Sequence, residues 1–128
     1  MHEPRRILLA EDDRFLRRAA EATLRKHGYA VIAAGDGEEA LRLAQSERPD
    51  VILLDVIMPK MQGFEVLSRL KADSATRAIP VIMLSNLSQP SDIQESADRG
   101  AVAYLVKSNV KLDELVAKVT AVLEAAAG

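Results

Sequence analysis

The chain has 128 residues, 48% of them hydrophobic, enough for one domain with a sizeable core that needs no metal or disulfide support. It contains no cysteine, which excludes structural disulfides and thiolate zinc sites, and its 17 basic and 19 acidic side chains are spread to a net charge of −2, so no basic stripe invites direct binding of nucleic acid or an anionic membrane. The start, Met1-His2-Glu3-Pro4-Arg5-Arg6, leads into only a short apolar stretch, and no later segment reaches the roughly 20 apolar residues of a membrane span, so a cytoplasmic protein is expected.

Five short apolar, partly β-branched runs alternate with five longer segments of helical period. That rhythm predicts an α/β fold, a doubly wound five-stranded parallel sheet with helices on both faces. The first strand falls near Arg6-Ala10 and ends at Glu11-Asp12-Asp13. The first helix follows from about Arg14 to His27, with Asp13 as N-cap, Leu16, Ala19, Ala20, Thr23 and Leu24 on its inner face, and Gly28 as its stop. A strand over Ala30-Ala34 leads to Asp36-Gly37-Glu38-Glu39, where an acidic N-cap and a Glu three positions on resemble a capping box; Pro49 closes that unit. The third strand, Val51-Leu54, ends at Asp55, and the third helix runs from about Gly63 through Leu67 and Leu70. Pro80 leads into Val81-Leu84, which ends at Ser85, and Pro90-Ser91-Asp92 opens a helix that stops near Arg99-Gly100. The last strand, Ala103-Val106, ends at Lys107. A stripe of Leu112, Leu115, Val116, Val119, Val122 and Leu123 marks a final helix from about Lys111 to Ala125, with Ala125-Ala126-Ala127-Gly128 as a fraying end. These elements use the chain as a single domain over 1–128, its ordered core over about 6–125, with no output domain visible.

Four strand ends thus carry polar chemistry, and ligand sites of doubly wound sheets gather outside the carboxyl ends of the strands, where the order reverses. If the order is 2-1-3-4-5, the strands ending at Glu11-Asp12 and Asp55 are neighbours, with Ser85 and Lys107 to one side. Three carboxylates brought close repel one another and raise at least one pKa unless a cation neutralises them. Oxygen-only ligands select a hard ion, and room for water and a phosphoryl oxygen favours Mg²⁺, with Mn²⁺ able to substitute. Lys107 offers a mobile point charge and Ser85 a hydroxyl donor for a transferring phosphoryl group, with Asp55 as the nucleophile. Each residue alone has a plainer account. Asp13 satisfies the cap beside Glu11-Asp12, Asp55 fits a solvated turn before Pro59 and Gly63, Ser85 with Asn86 fits a turn, and Lys107 a solvated strand end. The constellation is stronger than its members.

In this order the residues resemble the receiver domain of two-component response regulators, chemotaxis-regulator-like, over essentially the whole chain, from Ile7-Leu8-Leu9-Ala10-Glu11-Asp12-Asp13 through Tyr104-Leu105-Val106-Lys107 to the last helix. The resemblance implies a flavodoxin-like fold of strand order 2-1-3-4-5. It implies that Glu11, Asp12, Asp55 and the backbone carbonyl of Ile57 bind Mg²⁺, that Asp55 accepts the phosphoryl group, and that Ser85 and Lys107 hold it. Tyr104 becomes the aromatic switch that turns inward when Ser85 moves, against the plainer account of a half-buried strand aromatic. The implied donor is a phosphohistidine on a sensor histidine kinase or histidine phosphotransfer protein, with small acyl phosphates as substitutes. The domain is then no enzyme beyond its own phosphotransfer and slow dephosphorylation. The readout is a changed face of the fourth helix, fifth strand and fifth helix, about Asp92 to Arg99, Val102 to Val106 and Lys111 to Val122, offered to a downstream protein target or a missing output domain; a dimer through the same face fits the pattern.

Departures from the family pattern bear on kinetics. Glu11 replaces the more frequent Asp. Ser108 follows Lys107 where receivers usually have a cis proline, so either a trans peptide with an altered loop or a strained cis bond, costing roughly 3 kcal/mol, is expected. Asn86 stands where a small residue is usual and is expected to crowd the phosphoryl pocket or donate into it. Ile57 and Leu87 stand two residues beyond Asp55 and Ser85, where polar side chains can align attacking water, so a long-lived aspartyl phosphate is expected. Two other functions remain to be weighed: a Mg²⁺-dependent phosphohydrolase, against which stand Ile57 in place of a second Asp and the lack of a cap, and a constitutive scaffold, against which stands the complete set of site residues. His2 and His27 lie in no setting for a transferable phosphohistidine, and His27 suits a helix C-terminus.

Overall fold

The apolar runs form strands β1 (Arg6–Ala10), β2 (Ala30–Ala34), β3 (Val51–Asp55), β4 (Val81–Ser85) and β5 (Ala103–Val106) of one parallel sheet, ordered β2-β1-β3-β4-β5. Between and after them lie helices α1 (Arg14–Lys26), α2 (Gly37–Glu47), α3 (Gly63–Ala72), α4 (Pro90–Asp98) and α5 (Leu112–Ala127). The computed structural model describes residues 3–127, so His2 and Gly128 of the sequence reading lie outside the described residues. The expected fold class and strand order both hold. No helix among the described residues is long and apolar enough to cross a membrane.

Side chains alternate across the strands, and each face has its own core. Leu8, Ala10, Ile52, Leu54 and Met83 face one way, against Ala40 and Ala44 of α2 and Val66, Leu67 and Leu70 of α3. Ile7, Leu9, Val51, Leu53 and Ile82 face the other, against Ala20 and Leu24 of α1 and Leu115, Val116, Val119 and Leu123 of α5. Each fully enclosed Leu or Ile contributes about 1.5–3 kcal/mol, which is why the three central strands read as continuous apolar runs. Ala19, expected on the inner face of α1, is exposed, because the buried line follows Ala20 and Leu24, one turn apart.

The helix starts follow the local rules. Asp13 caps α1, accepting from the amides of Phe15 at 2.9 Å and Leu16 at 3.1 Å. Asp36 caps α2 by accepting from Glu39 N–H at 2.8 Å, while the Glu39 carboxylate takes the amide of Gly35, at 2.8 Å. Helix α4 differs: Ser96 is its only buried residue, and its N-cap, Gln89, makes no side-chain bond. It is fastened at its far end, where Arg99 donates to Ser68 Oγ at 2.7 Å and Phe64 O at 3.2 Å and lies over the Phe64 ring. After β5, Lys107–Asn109 forms a 3-10 turn, and no peptide bond among the described residues is cis, so Lys107–Ser108 takes the trans alternative with its own loop.

Candidate functional site

Ala10 pairs with Leu54 in the register of β1 and β3, so Glu11 and Asp55 leave adjacent strands side by side. Strand β3 runs one residue further than its apolar run, because Asp55 still pairs with Leu84; β4 likewise keeps Ser85, opposite Val106. Asp55 and Ser85 therefore sit on the last rigid strand positions rather than in turns. Asp55 is 4% exposed and Glu11 0%, whereas Asp12 is open to solvent. One carboxylate oxygen from each of the three lies within 4.8 Å of the others.

Lys107 enters from two strands away. Its Nζ donates to Asp55 Oδ2 at 2.8 Å and forms an ion pair with Glu11 Oε1 at 2.5 Å. The sequence reading gave this lysine a mobile charge; here it is pinned, its side chain only 15% exposed. Burial pushes the Glu11 carboxyl up to about 7, the Lys107 ammonium and the Asp13 amide pull it down, and nearby Asp55 raises it again. Burial pulls Lys107 down, but its bonds to Asp55 and Glu11 outweigh that and leave its pKa raised, so it stays charged.

One ammonium thus pairs with two of the three clustered carboxyl groups. Glu11 Oε1 is enclosed, with the Lys107 ammonium as its ion-pair partner. Three carboxylate oxygens gathered within 4.8 Å of one another form the all-oxygen donor set that a hard divalent cation takes, so the residues fit Mg²⁺ or Mn²⁺. Of the other carboxylate oxygens, Glu11 Oε2 receives Asp13 N–H at 3.0 Å, and Asp55 Oδ1 receives Ile57 N–H at 3.2 Å.

Ser85 is buried and its Oγ accepts from Leu87 N–H at 3.1 Å. The carbonyl of the same Leu87 accepts from Tyr104 OH at 2.7 Å, so one residue of the β4–α4 loop touches both Ser85 and Tyr104. Tyr104 is half-buried, and burial raises its phenol pKa. Asn86 is exposed, Leu87 half-buried, and Ile57 is 54% exposed.

Two glycines missed as site residues shape the loop after Asp55. A Cβ on Gly63 would stand 2.0 Å from the Asp55 carbonyl oxygen, and one on Gly37 would stand 1.9 Å from that of Met61. Gly63 N–H also binds Val56 O at 2.7 Å, so the start of α3 lies directly against the backbone of Asp55. The only sequence signal was a Gly opening each helix, which reads equally well as helix punctuation. The larger grooves, each about 520 Å³, lie elsewhere, around Lys71, Pro80, Val102 and Lys118 and along β5 and α5.

Residues 7–120 match the family described as the response regulator receiver domain. The transcriptional regulatory protein PdtaR of Mycobacterium tuberculosis is 39% identical over 105 residues, covering 81% of this chain and 50% of that protein. Protein PilH of Pseudomonas aeruginosa is 37% identical over 118 residues, 92% of this chain and 97% of that protein. The chain therefore spans half the length of one relative and nearly all of another. Among solved structures, the chemotaxis response regulator CheY4 of Vibrio cholerae superposes with a TM-score of 0.86 at 35% identity, over 93% of this chain and 98% of that one.

Proposed function

The chain belongs to the response regulator receiver domain family, and from that premise we propose that it is a phosphorylation-driven switch whose acceptor is Asp55. The observation that carries the reading is Asp55 held between the Lys107 ammonium and the acidic pair at the end of β3. Glu11, Asp12 and Asp55, with the backbone carbonyl of Ile57, would hold Mg²⁺. When bound, that ion would neutralise charge on the transferring phosphoryl oxygens. An Asp55 carboxylate oxygen forms the new P–O bond as the P–N bond of a donor phosphohistidine breaks, and the imidazole keeps the electron pair and takes up a proton. Lys107, already at hydrogen-bond distance from Asp55, and Ser85, one strand away, then bind the phosphoryl oxygens.

Recruiting Ser85 Oγ to the phosphoryl group takes it from Leu87 N–H, and Leu87 also holds Tyr104. The switch follows from that shared residue: Tyr104 turns as Ser85 moves, and the face of α4, β5 and α5 changes. The donor is a sensor histidine kinase or histidine phosphotransfer protein. The reader is a downstream protein, or an output domain where the chain is part of a longer protein, as its match to half of PdtaR allows; PilH parallels a free-standing form. We place this work in the cytoplasm. Neither Ile57 nor Leu87 offers a polar side chain to align water at Asp55, so the aspartyl phosphate of the purified protein persists well beyond seconds.

Intact mass after incubation with Mg²⁺ and acetyl phosphate tests the reading. A gain of one phosphoryl group is expected in wild type with metal, and none in Asp55→Ala or without metal. An equal gain in Asp55→Ala would refute the assignment.

A further inference from the structure

Arg17 stands at the acidic end of the sheet yet makes no ion pair with a carboxylate among those of the described residues. Its Nη1 donates instead to the backbone carbonyl of Glu11 at 2.7 Å. The arm passes over Gly35, where an added Cβ would lie 3.4 Å from Nη1. The amide of Glu11 is fixed as well, donating to Ala34 O at 3.0 Å. Both polar groups of the Glu11 backbone are thereby tied, one to the end of β2 and one to α1.

The carbonyl that Arg17 holds belongs to the peptide joining Glu11 to Asp12. The plane of that peptide sets the direction in which the two side chains leave the strand end, one buried and one open, toward the oxygen cluster they form with Asp55. Arg17 delivers to that carbonyl a single, always-charged N–H donor. By charge alone it is out of place, since a cation beside a divalent-cation site weakens binding by repulsion. Position and charge act with opposite signs, so their effects can be separated.

We propose that Arg17 is a positioning residue of the phosphoacceptor site, holding the Glu11–Asp12 peptide so that both carboxylates turn to one divalent cation. This rests on the metal reading of the site. Groups that orient metal ligands are worth about tenfold to a hundredfold in metal affinity, more than the repulsion of one partly solvated charge takes away.

The test is Mn²⁺ titration of wild type, Arg17→Met and Arg17→Lys, followed by electron paramagnetic resonance of the free ion, with thermal melting of each metal-free protein. Arg17→Met is expected to bind Mn²⁺ about tenfold more weakly, and Arg17→Lys, which keeps a charged N–H donor, to recover most of the loss. Unchanged or tighter binding by Arg17→Met, the outcome of charge removal alone, overturns the proposal, as does an Arg17→Lys as weak as Arg17→Met. Wild type that binds no Mn²⁺ overturns the metal reading itself. Should Arg17→Met melt below the titration temperature, Arg17→Gln, which removes the charge and shortens the arm, takes its place with the same two signs.

Discussion

Replacing Glu11 with Gln should stabilise the metal-free protein, by an amount that grows as pH rises from about 4.5 to about 7 and is full above that. Burial raises this carboxyl from 4.5 to about 7 despite the Lys107 ammonium beside it. Because the folded state binds the proton more tightly than the unfolded chain, stability falls as pH rises from about 4.5 to about 7 and is level beyond. At about 1.4 kcal/mol per pH unit, the ionised Glu11 costs the metal-free fold roughly 3 kcal/mol at pH 8. Near pH 5 the cost is under about 1 kcal/mol, since the native carboxyl is still protonated. Glu11→Gln keeps the shape and removes the titration. In urea unfolding followed by far-ultraviolet circular dichroism with EDTA present, a slope of about 1.5 kcal/mol per molar urea turns that difference into a midpoint about 2 M higher for the variant at pH 8. Saturating Mg²⁺ should narrow the gap by stabilising wild type. An equal difference at pH 5 and pH 8, or a variant less stable at pH 8, would refute the reasoning.

Lys107→Met removes the ammonium that lies 2.8 Å from Asp55 and 2.5 Å from Glu11, so Mn²⁺ affinity should rise severalfold while phosphorylation by acetyl phosphate slows by about a hundredfold; spin resonance and mass kinetics read the two effects. Gly63→Ala puts a Cβ 2.0 Å from the Asp55 carbonyl, and the backbone shift it forces should lower the melting temperature by about 10 °C in calorimetry and slow phosphotransfer as well. Asp13→Ala loses two cap bonds, at 2.9 and 3.1 Å, and should cost about 1 kcal/mol in urea unfolding while the acetyl phosphate rate stays near that of wild type, because Asp13 caps α1 and is not one of the three clustered carboxylates.

Most of the fold was legible because its signals are local. A strand buried on both faces must be a continuous apolar run, and Asp13, Asp36 and Pro90 announce helix starts by their own chemistry. Glu11, Asp12 and Asp55 could be grouped in advance because parallel strands deliver their ends to one edge, and the structure does bring their oxygens together. What stayed hidden depends on reach across the sheet. Nothing around Lys107 shows that it spans two strands to Glu11, and nothing around Arg17 shows that it bends back to a carbonyl six residues earlier. Gly37 and Gly63 matter for atoms they lack, against backbone from distant segments. Ala19 was misplaced for a simpler reason: the stripe facing the sheet is narrower than the run of small residues in α1.

Helix α4 carries a consequence for how the molecule opens. With Ser96 its only buried side chain and no side-chain cap at Gln89, it has little to lose on unfolding alone, while Arg99 moors its far end to α3. Amide hydrogens of α4 after Pro90 should therefore exchange with solvent through local opening, far below the free energy that melts the sheet. A segment so cheaply released behaves as a foldon of its own, moored at one end, and a bias of only a kilocalorie or two from the distant site is enough to change where it spends its time.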